Sequence, residues 1–120
     1  SAEVEAVVMR NKNVIEASAI AVFDNLEGAK IVLFICVLKE TANFKNTIKK
    51  LIVSNFGSFA VPKDIIILKS LPKTRSGKIL RRLLRNLYEK KNKEIGDLST
   101  MMNFKDLKNI VVKIDEQRKN

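Results

Sequence analysis

Eight consecutive apolar residues, Ile31-Val32-Leu33-Phe34-Ile35-Cys36-Val37-Leu38, constrain this chain more than any other feature. The run is far short of the roughly 20 apolar residues that a membrane span requires. Nor does it alternate with polar residues, as a strand with one wet face would. A run of this length, rich in Val and Ile, predicts a central strand covered on both faces. Such a strand needs apolar cover on both of its faces.

The remaining pattern supplies it. Residues 2–10 read as a helix with Glu3 and Glu5 in its first turn, where acids meet the positive end of the helix dipole. Asn11-Lys12-Asn13 breaks that helix, and residues 14–23, rich in Val, Ile and Ala, read as a strand. Asp24-Asn25-Leu26-Glu27-Gly28 is a turn by its residues. Phe44, Ile48, Leu51 and Ile52 mark an amphipathic helix, with Lys45, Lys49 and Lys50 off its stripe. Residues 57–62 form a loop leading to a short strand, Ile65 to Leu68. Ile79, Leu80, Leu83, Leu84 and Leu87 then predict a helix over about 79–89, with Lys90 to Lys93 expected to fray. Phe104, Leu107, Ile110, Val111 and Ile114 form a last helical stripe. The expectation is an α+β fold, a small mixed sheet of about three strands covered by helices. Residues 1–120 are expected to form a single domain, with 96–120 a helical extension packing back on it.

Composition narrows the chemistry. Histidine is absent, which removes Ser-His-Asp triads, Cys-His pairs and most zinc sites from this chain. Cys36 is the only cysteine, so no internal disulfide or cysteine metal cluster forms, and its place in the apolar run predicts a buried structural thiol. Charge is uneven: from Lys69 to Lys93 there are ten Lys or Arg against Glu89 alone, a net +9 of the chain's +10. That concentration implies an anionic partner.

At the centre of the basic region lies Leu71-Pro72-Lys73-Thr74-Arg75-Ser76-Gly77-Lys78-Ile79-Leu80-Arg81-Arg82. Pro72 fixes one φ angle and Gly77 is free to adopt conformations closed to other residues. Lys78 is expected at the tip of this turn, next to a helix N-terminus that Ser76 caps, an arrangement suited to an anion. It is not a P-loop: that motif needs Gly where Pro72 stands and Ser or Thr where Ile79 stands. On spacing alone, a basic turn on a solvated surface is an equal reading.

The same residues closely resemble the last motif of the acyl-adenylate-forming superfamily, in the form seen in its acetate-activating branch. Ala2-Glu3-Val4-Glu5-Ala6 resembles the first helix of that family's small, mobile C-terminal domain, and Gly96-Asp97-Leu98-Ser99-Thr100 resembles the end of acetate-type members. The resemblance implies an AMP-forming acetate–CoA ligase working through acetyl-AMP, with ATP, magnesium and coenzyme A used by the whole enzyme and none required by this stretch. It implies that Lys78 is catalytic, bridging the acyl carboxylate and the α-phosphate in adenylation, with Pro72, Thr74, Arg75, Ser76 and Gly77 shaping the turn. Arg75, Arg81, Arg82 and Arg85 would set the surrounding potential.

Further expectations follow from the resemblance. Lys78 is a candidate for reversible acetylation, with a lysine acetyltransferase and deacetylase as partners. The main partner would be an N-terminal ATP- and acyl-binding domain of the same protein, and this stretch alone would be inactive. Met9, Asn11 and Val14 match positions where some members hold magnesium through main-chain carbonyls, although an ordinary helix-ending turn is the better reading. Val53-Ser54 stand where bacterial acetate-type members carry an Arg-Lys pair expected to contact coenzyme A, so that contact is not carried over. Lys49 or Lys50 would be a substitute. The hinge and glycine-rich hairpin that precede the first helix in the family do not appear. Cytoplasm is the expected location, with the nucleus or another organelle left open; no membrane and no specific nucleic acid are expected. Alternatives are a propionate-type synthetase, a basic nucleic-acid-binding module and a free-standing interaction domain. The second has only Tyr88 for base stacking.

Overall fold

The computed structural model describes residues 2–26, 28–89 and 106–118. Its elements run α1 (Ala2–Val8), β1 (Val14–Asp24), β2 (Gly28–Val37), α2 (Phe44–Phe56), a 3-10 turn (Ser58–Ala60), β3 (Asp64–Ile67), α3 (Arg81–Glu89) and α4 (Leu107–Gln117). The three strands form one mixed sheet in the order β1-β2-β3, with β1 antiparallel and β3 parallel to β2. The expected sheet and its central strand are both present.

Strand β2 sits in the middle because its side chains need cover on both sides. Val32, Phe34 and Cys36 point to one face, where Leu84, Leu87 and Tyr88 of α3 and Ile110 and Ile114 of α4 meet them. Leu33 and Ile35 point to the other, against Val4 and Val8 of α1 and Phe44, Ile48 and Ile52 of α2. Residues Val32 to Ile35 have no exposed surface. The parallel β2–β3 pairing requires a crossover, which α2 provides.

Both outer edges of the sheet are sealed by side chains rather than left open. On β3, the Gln117 amide of α4 pairs with the backbone of Ile67, accepting from its N–H at 2.8 Å and donating to its carbonyl at 2.7 Å. On β1, Glu5 accepts from the Ala19 N–H at 2.7 Å and Arg85 donates to the Ala21 carbonyl at 3.0 Å.

Several boundaries differ from expectation: β2 begins at Gly28 and ends at Val37, leaving Leu38 outside it and 74% exposed, and β3 lies one residue earlier than expected, at Asp64–Ile67. Helix α1 ends at Val8, since the Arg10 and Asn11 N–H groups reach back only three residues to Val7 and Val8. Helix α3 starts at Arg81, because Ile79 and Leu80 are held in extended pairing described below, though both still pack on the core. The charged segment Lys90–Lys93, the Gly96–Thr100 stretch and Phe104 lie outside the described residues. Among the described residues no helix is long and apolar enough to cross a membrane.

Tyr88 joins the two outer helices to the sheet. Its ring meets Phe34 edge-on at 6.5 Å, its hydroxyl donates to buried Asp64 at 2.5 Å, and Arg118 donates to its carbonyl at 2.8 Å. Removing the hydroxyl strips a hydrogen bond from a buried carboxylate. Tyr88→Phe is therefore expected to destabilise the domain by about 1–3 kcal/mol, read by chemical denaturation with an unchanged m-value.

Candidate functional site

The basic motif between β3 and α3 folds as a short antiparallel ribbon, not as a turn capping a helix. Leu71, 1% exposed, anchors its start in the core. Lys73 and Ile79 pair across the two legs, and the Leu80 N–H donates to the Pro72 carbonyl at 2.9 Å. Nearer the tip, the Thr74 N–H donates to the Lys78 carbonyl at 2.8 Å and the Gly77 N–H to the Thr74 carbonyl at 2.9 Å. The Thr74 hydroxyl accepts from the Lys78 N–H at 3.1 Å and shares a hydrogen bond with the Ser76 hydroxyl at 2.9 Å. Gly77 turns the chain at φ +91°; an added Cβ there would meet nothing within 4 Å, so it is the backbone angle that favours glycine.

This geometry corrects two expectations. Ser76 does not cap α3, which begins at Arg81 beyond the ribbon, because its hydroxyl is taken up by Thr74. For the same reason Lys78 is not beside a helix N-terminus but on the returning leg, opposite Thr74. The structure does bring Pro72, Thr74, Arg75, Ser76, Gly77 and Lys78 together in one rigid unit. Pro72 is buried at its base, and Arg75, Ser76, Gly77 and Lys78 are exposed at its end.

The cations of the motif divide into two sets. Lys73 pairs with Glu16 of β1 at 2.5 Å. Arg81 grips Glu5 of α1 with two N–H groups, at 2.6 and 3.1 Å, and also donates to the Ser18 hydroxyl at 3.1 Å. Arg85 is bonded to β1 as above. Arg81 and Arg85, expected to set the potential around Lys78, thus serve the edge of the sheet. Lys69, Arg75, Lys78 and Arg82 stay exposed, with no ionic or hydrogen-bonding partner for their side chains among the described residues.

Glu5 and Glu16 escaped the sequence reading. Glu5 was legible only as a first-turn acid, and its partner lies 76 positions away. Burial raises the Glu5 pKa, but the Arg81 hydrogen bond, the Ala19 N–H and the Arg81 charge outweigh it and hold the carboxyl below its usual value. Arg81 is raised in turn, chiefly by its hydrogen bond to Glu5. Cys36 is buried, as expected; burial, with Glu16 adding, pushes its thiol up to about 11 against the opposing charge of Lys73.

Other expected positions are less engaged. Met9, Asn11 and Val14 line the turn after α1, where the Asn11 carbonyl accepts from the Val14 N–H at 3.0 Å and its Oδ1 from the Asn13 N–H at 2.8 Å. Among the described residues no three acidic or cysteine side chains gather to hold a metal ion, so a magnesium ion at this turn would rest on main-chain carbonyls alone. Val53 and Ser54 lie exposed on α2, the Ser54 hydroxyl donating to the Leu51 carbonyl at 3.0 Å. Grooves of about 230, 240 and 400 Å³ indent the surface, and none of the three includes Lys78.

The described residues form a three-layer α/β/α arrangement that presents Lys78, exposed, on a hydrogen-bonded ribbon. The chain belongs to the AMP-binding enzyme C-terminal domain family, whose profile matches residues 3–78 and ends on Lys78. Among its curated relatives, acetyl-coenzyme A synthetase 2 of Zygosaccharomyces bailii is 35% identical over 124 residues, covering 98% of this chain and 18% of that protein. Acetyl-coenzyme A synthetase 2 of Candida albicans is 35% identical over 117 residues, covering 92% and 17%. The chain thus spans less than a fifth of the length of these relatives. Among solved structures, an acyl-CoA synthetase from Brucella canis matches with a TM-score of 0.67 and 27% identity over 75% of this chain and 17% of its own. These comparisons do not favour the nucleic-acid-binding or propionate-type readings.

The Glu5 site has a definite pH signature. A carboxyl whose folded pKa is depressed stabilises the fold above its unfolded pKa, about 4.3, and loses that contribution as pH falls through the lower folded value. Glu5→Gln is expected to lower stability by about 1 kcal/mol at neutral pH. The gap from wild type, followed by thermal melts, should narrow below about pH 4.

Proposed function

We propose that this chain is the C-terminal domain of an AMP-forming acetate–CoA ligase, and that Lys78 is its catalytic contribution. The observation that carries the reading is the exposed Lys78 ammonium on a hydrogen-bonded ribbon, flanked by Lys73 and Arg81, whose charges are paired with Glu16 and Glu5. Adenylation brings an acyl carboxylate against the α-phosphate of ATP, two anions that repel. A compact ammonium on a flexible stem offsets that repulsion where charge builds at the phosphate. The rigid ribbon places it, and the exposed Arg75 and Arg82 add to the local positive potential.

In this reading a large partner domain of the same protein holds ATP and acetate, and the small domain swings Lys78 in for the first step and away for the second. Coenzyme A thiol then displaces AMP to give the thioester. Magnesium would accompany ATP in this reading; among the described residues no three acidic or cysteine side chains gather to hold it. Acetylation of the exposed Lys78 amine would remove the cation and stop adenylation.

The full-length protein carrying Lys78→Ala tests this. Acetate-dependent ATP–pyrophosphate exchange is expected to fall about 10²- to 10³-fold. Thioester formation from supplied acetyl-AMP and coenzyme A is expected to persist. Exchange close to wild type would return Lys78 to the role of a surface charge.

A further inference from the structure

The ribbon that carries Lys78 is moored to the same strand on both of its legs. On the outgoing leg, Lys73 pairs with Glu16. Just past the returning leg, Arg81 takes the Glu5 carboxylate in a two-bond grip and touches Ser18, while Glu5 is itself fixed by the Ala19 N–H. Glu16, Ser18 and Ala19 all belong to β1.

A local irregularity makes the first mooring possible. The register of β1 shifts between Val14, which faces Val37, and Glu16, which faces Cys36. Two residues of β1 are thus matched by one step of β2, a β-bulge at Ile15. Without it, Glu16 would share the face of Val14, which packs toward α1 and α2. With it, Glu16 joins Ile20 and Val22 on the face toward α3, where Lys73 lies. The strand spends a bulge, and exposes Ile15 to 48%, to aim one carboxylate at the base of the ribbon.

We propose that Glu5 and Glu16 are positioning residues, whose ion pairs with Arg81 and Lys73 set the place and direction in which Lys78 is presented. This deepens the adenylation reading and rests on it. Neither acid touches substrate. Each acts by fixing one end of a nine-residue ribbon, and a displacement of about 1 Å at its tip is enough to cost about 10²-fold in a reaction that depends on alignment.

The test uses the full-length protein with Glu16→Gln, Glu5→Gln and both together, beside Lys78→Ala. Expected is a 10- to 100-fold fall in kcat for acetate-dependent ATP–pyrophosphate exchange, with thioester formation from acetyl-AMP and coenzyme A within about twofold of wild type. A merely structural role would lower both half-reactions in parallel, following the loss of folded protein, and would overturn the proposal. The charge-swapped pair Glu16→Lys with Lys73→Glu should recover exchange relative to Glu16→Lys alone. If Glu5→Gln does not fold, Arg81→Lys, which keeps the charge and loses the planar fork, carries the same readout. Loss of exchange in Lys78→Ala with normal exchange in the Gln variants overturns the mooring alone. Normal exchange in Lys78→Ala overturns the adenylation reading and the mooring with it.

Discussion

Burial of β2 on both faces is the constraint from which the rest of the architecture follows. A strand with Val32 to Ile35 wholly removed from water must have its N–H and C=O groups paired on both sides and its side chains covered above and below. That demand calls for β1 and β3 as flanking strands, for α1 and α2 on one face, and for α3 and α4 on the other. Phe34 is its anchor on the α3 side, where Tyr88 stands edge-on and ties the outer layer to Asp64 at the start of β3.

Among the described residues the sheet has three strands, and side chains bond to backbone groups on the outer edge of each flanking strand. Gln117 mimics a strand residue on β3, while Glu5 and Arg85 occupy the outer backbone groups of β1. The β1 seal has a second effect. Arg81, which completes it through Glu5, directly follows the Lys78 ribbon, so protecting the edge and holding the ribbon are one set of interactions. The site is stiff because it is fastened to a structural necessity.

The basic residues around the motif divide in two. Lys73, Arg81 and Arg85 are bonded within the fold, while Lys69, Arg75, Lys78 and Arg82 stay exposed. The acetyl-coenzyme A synthetases named above are each more than five times the length of this chain.

Local sequence determined the elements and their layering. The apolar run of β2, the helical stripes of α2 and α4, the buried thiol and the Pro72–Lys78 turn were all legible, because periodicity and turn chemistry act between residues a few positions apart. The tertiary structure alone decided how the motif is built and held. Helical spacing extended α3 back to Ile79, but pairing with Lys73 claimed that residue for the ribbon and moved the helix start to Arg81. Ser76 reads as a cap until Thr74 is seen to take its hydroxyl. Glu5 and Arg81 stand 76 positions apart and Glu16 and Lys73 stand 57 apart, and no local pattern marks such pairs. Their meeting depends on the bulge in β1 and on the crossing of α3 over its edge, which exist only once the sheet has formed.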